Sequence, residues 1–375
     1  MSARFLTAVS GRAFNMRDRF GREIDYMRIS VIDSCNLNCY YCNPQDNNKN
    51  CQAINTLSVK KVLCIVRAAT MIGITHFRLT GGEPLLHPQL DEMVLQIKKI
   101  SGVSSVSLTT NAVLLAQHAK WLKEAGIDSI NVSLDTIDAS EYERITKKPL
   151  LEEVKHGINA AIECGIRVKI NVVLTPQTDV VALTRYVAKK GTDIRFIEMM
   201  PVGEGHTNGV EPYKKVIGTL SKLYGEPCRI NTEKTKEINS GNDKRKIPDN
   251  GPAEYYIFPE LGIRVGLIQA IHGKFCDTCN RIRVTADGRL MPCLGSSVTM
   301  DLVPDSCEFT DDLEKDFVIV QALKAAIKAK PGCHNFNDNA VTYTKTTETK
   351  TVETKTTELK AAEVNAARNM SRIGG

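Results

Sequence analysis

Three times, at Gly73-Ile74, Gly126-Ile127 and Gly165-Ile166, a helical pattern stops on glycine and gives way to a β-branched run. Glycine has no Cβ to clash in the left-handed conformation that closes many helices, so each junction reads as a helix end leading into a strand. The runs placed in this way are Met27 to Ile32, Thr75 to Thr80, Ser104 to Thr110, Asp128 to Leu134, Ile166 to Val173 and Asp193 to Ile197. Strands alternating with helices predict a parallel sheet with right-handed crossovers. In the first crossover Val59, Val62, Leu63, Val66 and Ala69 recur at helical spacing behind a Ser58 cap and predict one buried stripe. Six such units make an α/β partial (βα)6 TIM-like barrel, with chemistry on the loops that follow the strands. A doubly wound sheet has the same periodicity and is the alternative at this level.

The chain has 375 residues, 42% hydrophobic and 25% charged, which is apolar material for one large domain or two modest ones. No run approaches the roughly 20 apolar residues of a membrane-spanning helix, and the N-terminus lacks a secretory core, so a cytoplasmic protein away from the membrane is expected. Met1 to Asn15 carries Arg4 and Arg12 and no acid, a composition that also suits a short organelle-targeting segment. A net charge of +6 is too small to imply nucleic-acid binding. Beyond Pro201 the composition turns to Gly, Pro, Lys and Asn. Near the end, Thr-Lys-Thr-Thr-Glu at 344–348 repeats at 354–358. The expected organisation is an N-terminal extension at 1–17, a barrel at 18–200, a smaller C-terminal region at 201–340, a low-complexity tether at 341–360 and a tail at 361–375.

Twelve cysteines without an export signal point to metal or catalytic use rather than disulfides. Cys35, Cys39 and Cys42 form C-x3-C-x2-C in the loop after the first strand. Three soft thiolates suit a [4Fe-4S] cubane that keeps one iron open for a chelating substrate, while a structural zinc would want a fourth ligand. Cys276, Cys279 and Cys293 form C-x2-C-x13-C. On spacing alone this group fits a second open cluster or a zinc site completed by Cys307 equally well. Thr80-Gly-Gly-Glu-Pro84 follows the second strand, where glycines let backbone approach a ligand.

C-x3-C-x2-C with an aromatic before its last cysteine, placed after the first strand, resembles the radical SAM superfamily. Further segments resemble its GTP 3',8-cyclase family, that of molybdenum-cofactor biosynthesis protein A. They are Asp18-Arg-Phe-Gly-Arg22, Met27-Arg-Ile-Ser-Val31, Arg78 to Pro84, Thr109-Thr-Asn111, Asn131-Val-Ser-Leu-Asp135, Arg195 to Met200, Phe275 to Arg283 and Met370 to Gly375.

The resemblance implies a radical SAM barrel with a smaller C-terminal auxiliary-cluster domain, S-adenosyl-L-methionine and two [4Fe-4S] clusters held by the two cysteine groups. It implies that Tyr41, Gly82, Ser133 and Met200 line the S-adenosylmethionine site, with Glu83 next to Gly82 in the same motif. Arg28, Arg78, Thr109, Lys169, Arg195, Arg281 and Arg283 would contact GTP, since guanidinium forks match phosphate oxygens. Arg281, Arg283 and the tail Gly374-Gly375 would act catalytically. An external electron donor, a downstream cyclic pyranopterin monophosphate synthase and a homodimer are implied as well. Ser34 and Asn38 depart from the arginines common in relatives, and the Thr/Lys/Glu repeat is foreign to the pattern. A peptide-modifying maturase of the same superfamily shares both cysteine groups and is the alternative. Cys51, Cys64, Cys164, Cys228, Cys307 and Cys333 carry no role.

Overall fold

The computed structural model describes residues 16–42, 54–202, 209–230, 251–296, 298–302, 312–334 and 336. Strands and helices alternate in the order β1 (Tyr26–Ser30), α1 (Val59–Thr70), β2 (His76–Thr80), α2 (Leu90–Lys98), β3 (Ser105–Thr110), α3 (Leu115–Glu124) and β4 (Ser129–Ser133). They continue with α4 (Ala139–Thr146), α5 (Leu151–Glu163), β5 (Val168–Val173), α6 (Val180–Lys189) and β6 (Asp193–Ile197). The expected capping chemistry is in place: the Ser58 side chain accepts from Lys61 N at the head of α1. Gly73, Gly126 and Gly165 all have positive φ, between 70° and 88°.

After β6 come a π-helical turn (Tyr213–Ile217), α7 (Gly218–Tyr224), β7 (Cys228–Arg229), β8 (Glu254–Ile257), β9 (Arg264–Ile268), β10 (Arg281–Val284), β11 (Arg289–Met291), β12 (Met300–Asp301) and α8 (Asp312–Ala329). Among the described residues these elements form no sheet of their own. β10 pairs parallel with β1 and β9 pairs parallel with β6, so one sheet runs β12-β11-β10-β1-β2-β3-β4-β5-β6-β9-β8-β7. Arg281-Ile-Arg-Val keeps the alternation of the strand it joins.

The two faces of the parallel strands differ in kind. Met27, Ile29, Phe77, Leu79, Val106, Leu108, Ile130, Val132, Ile194 and Phe196 are fully buried on one face. Each such side chain contributes about 1.5–3 kcal/mol when removed from water. The other face carries Arg28, Arg78, Ser107, Thr109, Asn131, Lys169, Asn171 and Arg195, matched across neighbouring strands by the register. A doubly wound sheet is covered on both faces and would be aliphatic on both. One aliphatic and one polar face is instead the pattern of a curled sheet lining a polar chamber, with helices outside. Consistent with that, α1 packs on α2, α3 on α5 and α8 on α1, a single helical layer.

Candidate active site

Strand direction places the two cysteine groups at opposite ends of the chamber. Cys35, Cys39 and Cys42 follow β1, at the C-terminal ends of the parallel strands. Cys276 and Cys279 precede β10, which is parallel to β1, and Cys293 follows β11, which runs back antiparallel. The second group therefore lies at the N-terminal ends of the strands. Five residues of β1 at about 3.3 Å rise each put roughly 16 Å of strand between the two ends.

The first cysteine loop is braced from three sides. Cys42 N donates to Cys39 O at 3.0 Å and closes the loop internally. Beneath it, Gly82 N donates to Ile32 O at 2.7 Å and Glu83 N to Ser34 O at 2.8 Å. A Cβ on Gly82 would come within 2.2 Å of Ser34 O, and one on Gly81 within 2.3 Å of Ile32 O, so both glycines are required by contact with the loop itself. Tyr41 Oη donates to the buried carboxylate of Asp135 beyond β4, which also accepts Val173 N at 2.8 Å. Burial pushes the Asp135 carboxyl up to about 6.

Burial also pushes the thiols up, Cys35 to about 12, Cys42 to about 11 and Cys39 further. Next in effect come the carboxylate of Glu83 for Cys35, the Cys42 thiol for Cys39 and the carboxylate of Asp135 for Cys42 once the favourable amide contact to Cys35 is set aside. Such thiols become ligands by losing their protons to solvent as a metal cation binds. Among the described residues no three of His, Cys, Asp or Glu converge as around a single ion. Thiolates on one zinc at about 2.3 Å would crowd to roughly 4 Å from one another. A [4Fe-4S] cubane takes one thiolate per iron, so these three cysteines could hold three of its four irons.

Between the two ends the chamber wall is cationic. Arg283, Arg28 and Arg78 stand in register on the adjacent strands β10, β1 and β2. Burial, then Arg283 and Arg78, holds Arg28 well below its ordinary range, and burial with Arg281 brings Arg283 down to about 10. Arg78 donates to Tyr26 Oη and, at 3.4 Å, to Thr109 Oγ1. Burial pushes the Tyr26 phenol up, but Arg78 and Arg28 outweigh it and leave the phenol below its ordinary value. Further round, Arg195 is 4% exposed, and among the described residues its Nε and Nη2 have no hydrogen-bond partner. Asn131 Oδ1, Asn171 Oδ1 and Arg283 Nη1 are likewise buried and without a partner among the described residues. Buried polar atoms without partners are rare and costly, and a polar, anionic ligand would satisfy these.

At the far end Cys276 is buried and Cys279 and Cys293 are half-buried. Burial raises the Cys279 thiol, yet Arg281 and then Lys330 outweigh it and bring it down to about 7. Arg281 also lies over the Phe275 ring, 5.0 Å from its centroid.

The radical SAM superfamily model matches residues 29–182, and the Molybdenum Cofactor Synthesis C model matches residues 192–336. The GTP 3',8-cyclase of Clostridium perfringens strain SM101 is 35% identical over 324 residues, covering 86% of this chain and 95% of the relative. The chain belongs to the GTP 3',8-cyclase family. The enzyme of the same name from Listeria monocytogenes is 35% identical over 323 residues, covering 85% of this chain and 92% of its own. In fold the chain is similar to Streptococcus suis SuiB bound to S-adenosylmethionine, with a TM-score of 0.53 at 15% identity, covering 82% of this chain and 68% of that one. Membership makes this a radical SAM enzyme that uses S-adenosyl-L-methionine and a [4Fe-4S] cluster. Among the described residues no helix is long and apolar enough to cross a membrane.

Of the residues singled out in the sequence, Cys35, Cys39, Cys42, Tyr41 and Gly82 gather at one mouth with Ser133, at the end of β4, and Met200, beyond β6. Arg28, Arg78, Thr109, Lys169, Arg195 and Arg283 share the chamber wall, and Arg281 opens β10 beside the second cysteine group. Gly374, Gly375, the tether, Cys51 and Cys307 lie outside the described residues. Asn111, Asp135, Glu198, Gly266, Arg22 and Lys330 went without a role in the sequence. Glu198 is one of them: it accepts Ile271 N and His272 N at 2.7 and 3.1 Å, tying the loop after β9 to β6. Asn111 and Asp135 close quoted motifs, which was their only signal.

Proposed function

We propose that this chain is itself a GTP 3',8-cyclase, converting GTP to 3',8-cyclo-7,8-dihydro-GTP at the opening of molybdenum cofactor biosynthesis. The observation that carries the reading is the in-register row Arg283, Arg28 and Arg78 set between two three-cysteine groups. Five-donor guanidinium forks on one wall match the phosphate and base oxygens of a nucleotide, and a bound polyanion relieves their mutual repulsion.

Cys35, Cys39 and Cys42 would hold the cluster that supplies one-electron cleavage of S-adenosyl-L-methionine, whose 5'-deoxyadenosyl fragment removes the ribose 3' hydrogen. Tyr41, Gly82, Ser133 and Met200 orient that cofactor. Arg28, Arg78, Thr109, Lys169 and Arg195 bind the nucleotide's phosphates and sugar, and the unpartnered Asn131 and Asn171 carbonyl oxygens accept from its hydroxyls. Cys276, Cys279 and Cys293 would hold a second [4Fe-4S] cluster, against which Arg281 and Arg283 seat the guanine end. In this reading residues 18–200 carry radical generation, residues 201–340 carry the second cluster, and Gly374-Gly375 closes the site. Partners are an external electron donor and a cyclic pyranopterin monophosphate synthase that takes the product, with a homodimer as the working form.

Incubation of the anaerobically loaded protein with GTP, S-adenosyl-L-methionine and dithionite tests the reading. Stoichiometric loss of GTP with formation of the cyclised nucleotide is expected. Cleavage of S-adenosyl-L-methionine with GTP left intact overturns it.

A further inference from the structure

Two buried cations outside the chamber converge on the backbone of the second cysteine group. Arg22, in the segment ahead of β1, donates through Nη1 to Cys276 O at 2.7 Å and Gly332 O at 3.0 Å, and through Nη2 to Pro331 O at 2.6 Å. Its Nε is fixed by Asp18 Oδ2 at 2.6 Å, a buried pair, and Phe20 covers its guanidinium face. Lys330, 2% exposed at the end of α8, donates to Arg281 O at 2.8 Å and Pro292 O at 3.0 Å. The carbonyls held are that of Cys276, that of the residue two beyond Cys279 and that of the residue before Cys293. Each of the three ligand segments is therefore gripped by a cation, and Arg22 also grips the two residues that follow Lys330.

The charges need an explanation. An ammonium buried against two neutral carbonyls is costly, and among the described residues Lys330 has no carboxylate hydrogen-bonded to it. An anionic group seated on Cys276, Cys279 and Cys293 offsets that cost.

We infer that Arg22 and Lys330 are positioning residues of the second cysteine site, fixing its three ligand segments at one spacing and supplying the cations that balance a bound iron-sulfur cluster. The inference rests on the two-cluster reading given above.

Arg22→Lys keeps the Asp18 pair but gives up the fork that reaches several carbonyls, and Lys330→Met keeps the volume but loses the charge. The wild type and both variants are loaded anaerobically and assayed for iron and sulfide per chain, electron paramagnetic resonance after reduction, and the rate of iron loss to a chelator. The expected result is iron for two clusters in the wild type. In each variant the second cluster is lost to chelator at least ~10-fold faster, as outer-shell changes commonly cause. The first cluster and its cleavage of S-adenosyl-L-methionine persist as the internal control of folding. In Lys330→Met the remaining second-cluster signal appears at a more negative potential. Iron for one cluster in the wild type defeats the two-cluster reading itself. With two clusters present, wild-type loss rates and potential in the variants, or equal loss from both sites, overturn the clamp. Each variant is judged separately, so either one decides.

Discussion

Asn111 donates its backbone N–H to Glu83 Oε2 at 2.7 Å, joining the loop after β3 to the turn after β2. The other carboxylate oxygen accepts Thr110 Oγ1 at 2.7 Å and Leu85 N at 3.0 Å. From the same Asn111 the side-chain amide reaches Asn36 Oδ1 at 2.7 Å and Cys35 Sγ at 3.8 Å. One buried carboxylate thus sets the position of a neighbour of the first cysteine site.

Burial pushes the Glu83 carboxyl up to about 7, against which the bonds from Asn111, Thr110 and Leu85 pull only partly. A folded-state value above the unfolded one stabilises the fold at low pH, and that contribution fades as pH rises through about 7. Between the ordinary value of 4.5 and about 7 the wild type should lose roughly 3 kcal/mol that Glu83→Gln does not lose. Denaturation of both ligand-free proteins across this window checks the sign. Parallel curves would show that Glu83 is ionised in the fold throughout.

Gly266 lies opposite Arg195 on β9, and a Cβ there would come within 2.7 Å of Arg195 Cγ. Gly266→Ala should therefore push the guanidinium off its place while leaving both cysteine loops alone. The expected outcome is a KM for GTP raised about 10-fold or more, the worth of one charged hydrogen bond, with S-adenosyl-L-methionine cleavage in the absence of GTP unchanged. An unaltered KM would mean that Arg195 does not meet the nucleotide.

Tyr41 and Asp135 form a half-buried pair across the cysteine loop and the end of β4. In a double-mutant cycle, Tyr41→Phe and Asp135→Asn should each slow S-adenosyl-L-methionine cleavage. Their effects on thermal stability should couple by about 1 kcal/mol or more, because either change removes the same contact. Strict additivity would place the two residues in separate roles.

The strands were legible because alternation of apolar and polar residues survives on every one of them, and Asp193–Ile197 has the expected limits. That same alternation also decides between barrel and doubly wound sheet, but only once the register shows that Arg28, Arg78 and Arg283 fall on one face. The attachment of β9 and β10 to opposite edges was not legible, since pairing between residues far apart leaves no local pattern. Lys330 was hidden for a different reason: a lysine before Pro331 at a helix end looks like a solvated terminus, and only packing reveals its carbonyl partners.

Arg283 illustrates a trade between folding and binding. It is 6% exposed, one of its nitrogens has no hydrogen-bond partner among the described residues, and burial with the charge of Arg281 holds it at about 10. Removing a buried, poorly compensated charge stabilises a fold, commonly by about 1 kcal/mol or more. Arg283→Met should accordingly raise the melting temperature of the nucleotide-free protein. With GTP present the order should reverse, since loss of a charge-assisted contact costs about 1.5–3 kcal/mol of affinity, or ~10- to ~100-fold, and ligand stabilisation shrinks with it. Added salt should narrow the wild-type response to GTP more than the variant's. Melting curves at fixed GTP and two ionic strengths test all three parts together. A variant that melts lower without nucleotide and keeps the full GTP shift would show that Arg283 serves the fold and not the ligand.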